Sequence, residues 1–172
     1  LNGYQLTARF PDREEAGTPN LLGAVQLGAV LNVLQRIGME RVHAAEQQRL
    51  RGLLAELMAL PGVRVYGDSD PDRTPRVGTV AFNLDGLEHG LVAAVLNDYF
   101  NVAVRNGCFC AHPYVRELLK PELWTLDLDP DDAAAIQRWQ GMARASLGLY
   151  TVDEDLEALL AGLRDLLARP DY

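Results

Sequence analysis

Three short segments hold the residues whose types and spacing could do chemistry. The first is Arg105-Asn106-Gly107-Cys108-Phe109-Cys110-Ala111-His112-Pro113. An arginine closes a β-prone run, Asn-Gly marks a turn, and two thiols and an imidazole follow on a loop. The thiolate is the reactive form of cysteine, and nearby cations favour it; Arg105 and His112 bring such charge. Two small core cysteines are an equally good reading of the same letters. A metal set of Cys108, Cys110 and His112 lacks a fourth ligand and the usual two-residue gap between cysteines, so no metal is expected. The second segment is Met142-Ala143-Arg144-Ala145-Ser146-Leu147. An arginine in an apolar strand needs a partner, either a structural carboxylate or a substrate carboxylate held bidentately. The third is Ala16-Gly17-Thr18-Pro19-Asn20, where a hydroxyl beside free backbone N–H groups suits a phosphate or caps a plain helix.

The elements that must position these groups follow from periodicity. Residues 1–16 have no clear period and read as an irregular arm. Thr18 is expected to cap a helix with Pro19 at its first position, running to about Ile37. That helix is apolar on nearly every face, which points to a missing neighbour. A one-sided helix over 39–59 ends at Pro61-Gly62. Strands are expected over 63–66 and 76–84 around an Asp- and Pro-rich loop, then a helix over 87–99 and a strand over 101–105. An acidic irregular stretch over 123–132 leads to a helix near Gln140 and a strand over 142–147. Thr151 to Glu154 has capping-box spacing and opens a last helix. The order predicts an α+β fold, a small mostly antiparallel sheet with helices packed on one face. Residues 1–20 form an arm and 21–172 a small domain.

Composition narrows the class. The chain has 172 residues, of which 48% are hydrophobic, enough for a packed core. A net charge of −8 and a pI near 4.8 argue against a nucleic-acid partner. No run of about eighteen apolar residues and no leader segment occur, so no membrane partner and a cytoplasmic location are expected. Two cysteines this close suit reduced thiols. Lys120 is the one lysine among sixteen basic residues, so chemistry needing a lysine amine must use it or do without. The start at Leu1-Asn2-Gly3, without Met, is read as truncation of a longer polypeptide.

Glu15-Ala16-Gly17-Thr18-Pro19-Asn20, Ala103-Val104-Arg105-Asn106-Gly107, Cys110-Ala111 and Arg144-Ala145-Ser146-Leu147 occur in an order that resembles the class V aminotransferase family, and most its cysteine desulfurase branch. The resemblance runs from about residue 9 to residue 167. It implies the C-terminal small domain of a pyridoxal 5'-phosphate enzyme that abstracts sulfur from L-cysteine as an enzyme persulfide. Cys110 matches the mobile-loop cysteine that attacks sulfur, with Cys108 the alternative. Arg144 matches the arginine that binds the substrate carboxylate, and Arg105 and Asn106 border the substrate pocket. Thr18, with Gly17, matches the contact to the cofactor phosphate across a homodimer interface. The Gly-Cys-Phe-Cys run is similar to the desulfurase-like part of molybdenum-cofactor sulfurases. The family's Schiff-base lysine belongs to a large N-terminal domain, and Lys120 in Leu-Leu-Lys-Pro matches nothing of the kind. The chain alone is therefore expected to bind no cofactor and to be inactive. Its expected partners are that large domain, a second copy of the parent and a sulfur-acceptor protein. Within the family, an aminotransferase, lyase or epimerase is the alternative; outside it, a free-standing interaction or metal-binding module.

Overall fold

Alternation along short strands and apolar stripes on three helices build the core. The computed structural model describes residues 3, 7–15, 17–126, 128–129 and 131–169. Much of the expected arm, Leu1, Asn2, Tyr4, Gln5, Leu6 and Ala16, lies outside the described residues. The elements run α1 Leu21–Ile37, α2 Met39–Ala59, β1 Val63–Tyr66, β2 Thr79–Leu84, α3 His89–Phe100, β3 Arg105–Gly107, α4 His112–Leu123, α5 Ala133–Trp139, β4 Met142–Ser146 and α6 Asp153–Ala168. The chain divides into two units, Leu1–Val42 and His43–Tyr172.

The second unit is built on one antiparallel sheet of order β1-β2-β4-β3. Val80, Phe82 and Leu84 of β2 and Ala143 and Ala145 of β4 point into one face. Leu50, Leu53, Leu54 and Leu57 of α2, Val92, Val95 and Leu96 of α3, and Leu159, Leu160, Leu163 and Leu166 of α6 cover it. Each such leucine contributes about 1.5–3 kcal/mol by leaving water. These helices give the α+β arrangement that the sequence predicts. On the opposite face, Tyr66 and Met142 pack with Val115 and Leu119, which are one turn apart on α4. That helix is absent from the periodicity reading. Pro113 sits in its first turn, where a missing N–H costs nothing, and Pro121 lies inside its last turn.

Four boundaries differ from expectation for local reasons. Asn20, not Thr18, caps α1, its Oδ1 accepting from the Gly23 N–H at 2.9 Å. Residues 76–78 stay outside β2: the Arg76 carbonyl accepts from the Gln47 side chain, and the Thr79 N–H turns back to the Val77 carbonyl. Residues 101–104 pair with no strand: Asn101 is left-handed at φ 54°, and the Val102 N–H returns to the Leu96 carbonyl. At α6 the Asp155 carboxylate accepts from the Val152 N–H at 2.9 Å, while the Thr151 hydroxyl accepts from Gly148. Only this half of a capping box forms, one residue later than Thr151–Glu154 suggests, because the Val152 side chain has no acceptor to return the bond.

In the first unit, α1 closes on Gly38 at φ 91°, whose N–H donates to Leu34. No residue of α1 is buried, and Leu21, Leu22 and Val25 are each about 70% exposed. Among the described residues no single helix is long and apolar enough to cross a membrane.

Two helical glycines have opposite surroundings. A Cβ on Gly52 of α2 meets nothing within 4 Å, whereas one on Gly162 of α6 would stand 2.5 Å from the Leu96 side chain. Gly52→Ala is expected to stabilise the fold by about 0.5–1 kcal/mol through helix propensity. Gly162→Ala is expected to destabilise it by about 1–3 kcal/mol by forcing α3 and α6 apart. Urea midpoints of the two variants against the parent check both signs.

Candidate functional site

The pairing of β3 with β4 sets Arg105 directly opposite Arg144, with Ala81 of β2 on the other side of Arg144. Cross-strand partners share a face, so two cationic side chains leave the same sheet surface side by side. Neither arginine forms an ion pair among the described residues. Arg144 is half-buried, and its Nε is buried without a hydrogen-bond partner. Its guanidinium carbon lies 5.0 Å from the centre of the Phe109 ring, a cation–π contact. The structural carboxylate that would make Arg144 a bland strand residue is absent among the described residues.

The cysteine segment leaves β3 at Gly107, φ 101°, and turns at once. The Ala111 N–H donates to the Cys108 carbonyl at 2.8 Å, closing a four-residue turn. Phe109 and Cys110 at its centre both have left-handed backbones, φ 54° and 60°. Side chains pay for that conformation, about 1 kcal/mol or more per residue, so the neighbours must impose it. They do so from the inside: Cys108, Phe109 and Ala111 pack on the cluster of Tyr66, Val115, Leu119 and Met142. Cys110 is the residue of the turn left exposed. Both cysteines are free thiols, and Cys108 Sγ lies 2.9 Å from His112 Nε2. No group of three or more His, Cys, Asp or Glu among the described residues is arranged to hold a metal.

Of the residues singled out in sequence, Arg105, Arg144, Cys108, Cys110 and His112 thus share one end of the β3–β4 pair and the turn beyond it. Asn106, exposed on β3, stands opposite Ala143. Gly17 and Thr18 belong to the first unit, both exposed. Because Asn20 does the capping, the Thr18 hydroxyl has no partner among the described residues.

Sequence reasoning gave no role to Phe109, whose single aromatic ring has no period to betray it. Nor did it find the polar brace behind the turn. Tyr66 donates to Glu122 on α4, and Asn83 donates to Tyr66 Oη at 3.1 Å and to the Gly141 carbonyl at 3.0 Å. Arg64 holds the other Glu122 oxygen at 2.9 Å. These residues tie α4 to β1, to β2 and to Gly141 just ahead of β4, and the separation of 56 positions from Tyr66 to Glu122 leaves no local signal. At the same place His89 packs so closely on Gly141 that a Cβ there would lie 2.3 Å from Nε2. Burial pushes the His89 pKa down.

Residues 1–159 match the model of the aminotransferase class-V family. A cysteine desulfurase of Cronobacter sakazakii is 33% identical over 156 residues, covering 91% of this chain and 32% of that protein. A cysteine desulfurase of Salmonella newport is 32% identical over 159 residues, with the same coverage. The apo structure of a cysteine desulfurase from Thermococcus onnurineus superposes with a TM-score of 0.67 at 33% identity, over 98% of this chain and 36% of that one. Cysteine desulfurase CsdA from Escherichia coli gives 0.68 at 23% identity, a likeness of fold alone, over 92% of this chain and 33% of that one. The chain spans about a third of the length of the curated relatives it matches.

The Tyr66 brace has a pH signature. Burial first, then the hydrogen bond to Glu122, raises the phenol well above its ordinary value of 10.0. The fold favours the neutral form, so the native state keeps that proton after the unfolded chain has lost it. The contribution of Tyr66 is therefore complete below pH 10.0 and is lost as pH rises beyond it. Phenolate absorbance up to about pH 11 is expected to be equal in native wild type and native Tyr66→Phe, and smaller by one tyrosine in unfolded Tyr66→Phe.

Proposed function

Because the chain belongs to the aminotransferase class-V family, we propose that it is the C-terminal small domain of a cysteine desulfurase that removes sulfur from L-cysteine. Cys110 carries the reading: it is the exposed thiol of a turn whose other side chains are packed down, and that turn touches Arg144 through Phe109. The roles divide by chemistry. Arg144, with a buried unpartnered Nε, grips the substrate carboxylate, and Arg105 adds positive potential beside it. Asn106, which pairs with Ala143 and so faces the other side of β3 from Arg105, borders that pocket through its backbone alone. Cys110 is the nucleophile that takes the substrate sulfur and holds it as a persulfide. Cysteine desulfurases work with pyridoxal 5'-phosphate, which supplies an electron sink for the bound amino acid.

Toward that cofactor this chain offers the spare hydroxyl of Thr18 and the Gly17 backbone, which suit its phosphate. It offers no amine: Lys120 lies exposed on α4, 3.8 Å from Glu117. The amine that receives the cofactor carbonyl therefore comes from a large domain outside this chain, and this piece alone turns over nothing. The bare apolar surface of α1 supports a partner of that kind and a homodimeric parent in which Thr18 serves the second active site. Free thiols suit a cytoplasmic setting. A sulfur-acceptor protein completes the cycle.

Sulfide and alanine release from L-cysteine by the full-length parent tests the assignment. Cys110→Ala is expected to reduce it to background with the cofactor still bound. An unchanged rate would move the protein to an aminotransferase, lyase or epimerase of the same family. Arg144→Lys is expected to lower kcat/KM about tenfold or more, since a charge-assisted hydrogen bond is worth about 1.5–3 kcal/mol. The loss should fall mainly on KM, as expected for a group that binds substrate and transition state alike.

A further inference from the structure

We propose that Cys108 and His112 form a second reactive pair, which takes over the sulfur carried by Cys110; the proposal rests on the desulfurase reading of Cys110. A cysteine that only fills core is enclosed and has no polar partner. Cys108 is half-buried, and its Sγ stands 2.9 Å from an imidazole nitrogen. That is the geometry of a nucleophile with its general base. The contact is built by the fold. The hydrogen bond from Ala111 to the Cys108 carbonyl reverses the chain, and His112 then opens α4, so the two side chains meet across the turn. Among the described residues His112 has no carboxylate partner, and Cys108 is the one hydrogen-bond contact of its ring. The cluster of Tyr66, Val115, Leu119 and Met142 holds Cys108 from beneath, which fixes the thiol relative to the ring.

Cys110 lies two residues further on the same turn and faces solvent, while Cys108 is half-sheltered. One thiol is placed to meet an arriving substrate, the other to shelter what has been taken. In the transfer, His112 Nε2 receives the Cys108 thiol proton as Sγ attacks the outer sulfur of the Cys110 persulfide. A new S–S bond forms on Cys108, the S–S bond on Cys110 breaks, and Cys110 leaves as thiolate. His112 returns the proton to it. The outer sulfur moves from one cysteine to the other with no net oxidation or reduction, and Cys110 is free for another substrate.

Two measurements on the full-length, cofactor-loaded parent test this. The first needs no substrate: limiting iodoacetamide, followed by peptide mass spectrometry, gives the labelling rate of each thiol. His112→Asn is expected to slow Cys108 about tenfold or more, the scale of a lost general base, and to leave Cys110 unchanged. The Cys110 rate in the same sample reports an intact turn, and Cys108 labelled equally fast in both proteins overturns the pair. The second adds L-cysteine and maps the extra sulfur atom. It is expected on both cysteines in wild type, on Cys110 alone in Cys108→Ser and His112→Asn, and on neither in Cys110→Ser. Sulfur on Cys110 but never on Cys108 in wild type overturns the relay and leaves the desulfurase reading standing. Sulfur on neither thiol of wild type overturns that reading and the relay with it.

Discussion

The two-sided pairing of β4 is the constraint on which the rest depends. Its residues 143–146 pair with β2 on one edge and 142–144 with β3 on the other, and alternate residues face opposite ways. Ala143 and Ala145 enter the main core, while Met142 and Arg144 face the cysteine turn. A slip of one residue would drive a guanidinium among leucines and valines and lift two alanines onto the polar face. The register is therefore held by the cost of burying Arg144 on the wrong side. The same register puts Arg105 beside Arg144 and aims the end of β3 at the turn.

The turn extends this economy of position. Its left-handed centre is unfavourable for Phe109 and Cys110 in isolation, yet three side chains anchored on Tyr66, Val115, Leu119 and Met142 outweigh that cost. Anchoring all but Cys110 presents one thiol outward and sets the other against His112. The brace of Tyr66, Glu122, Asn83 and Arg64 fixes α4 to the sheet from its far end. Since His112 begins that helix, the polar network and the apolar cluster act on the same few atoms from opposite ends.

Much of this was legible because it is periodic. The stripes of α2 and α6, the alternation of β2 and the small-residue pattern around Arg144 are local signals that tertiary structure had no reason to override. Helix α4 was not, because its buried stripe is only Val115 and Leu119 with Leu118 beside it, and two prolines break the pattern of its twelve residues. Thr18 reads as a cap because threonine and Pro19 stand in the right order, but Asn20 wins with an acceptor two residues nearer the helix. Strand 101–105 failed for another reason. Its β-branched residues follow a helix whose left-handed end at Asn101 consumes the first of them, so pairing starts only at Arg105. The Cys108–His112 contact could be suspected from spacing, but which thiol the imidazole meets depends on the turn.

Helix α1 sets the remaining physical problem. Its seventeen residues bury no side chain, and its leucines and valines stand largely exposed. Each large apolar side chain covered by a partner would contribute about 1.5–3 kcal/mol, so the surface is a strong driver of association. Water disfavours leaving such a helix bare, whereas the strands and helices of the second unit already satisfy one another around a closed core. The two parts of the chain thus have different needs. The second unit has a core of its own, and on the proposed reading its exposed chemistry is what a partner would complete. The first offers area rather than chemistry, apart from Gly17 and Thr18 just ahead of the helix. On the proposed reading these needs are linked: a large domain that covers α1 would also bring the amine that this chain lacks, so assembly and catalytic competence go together.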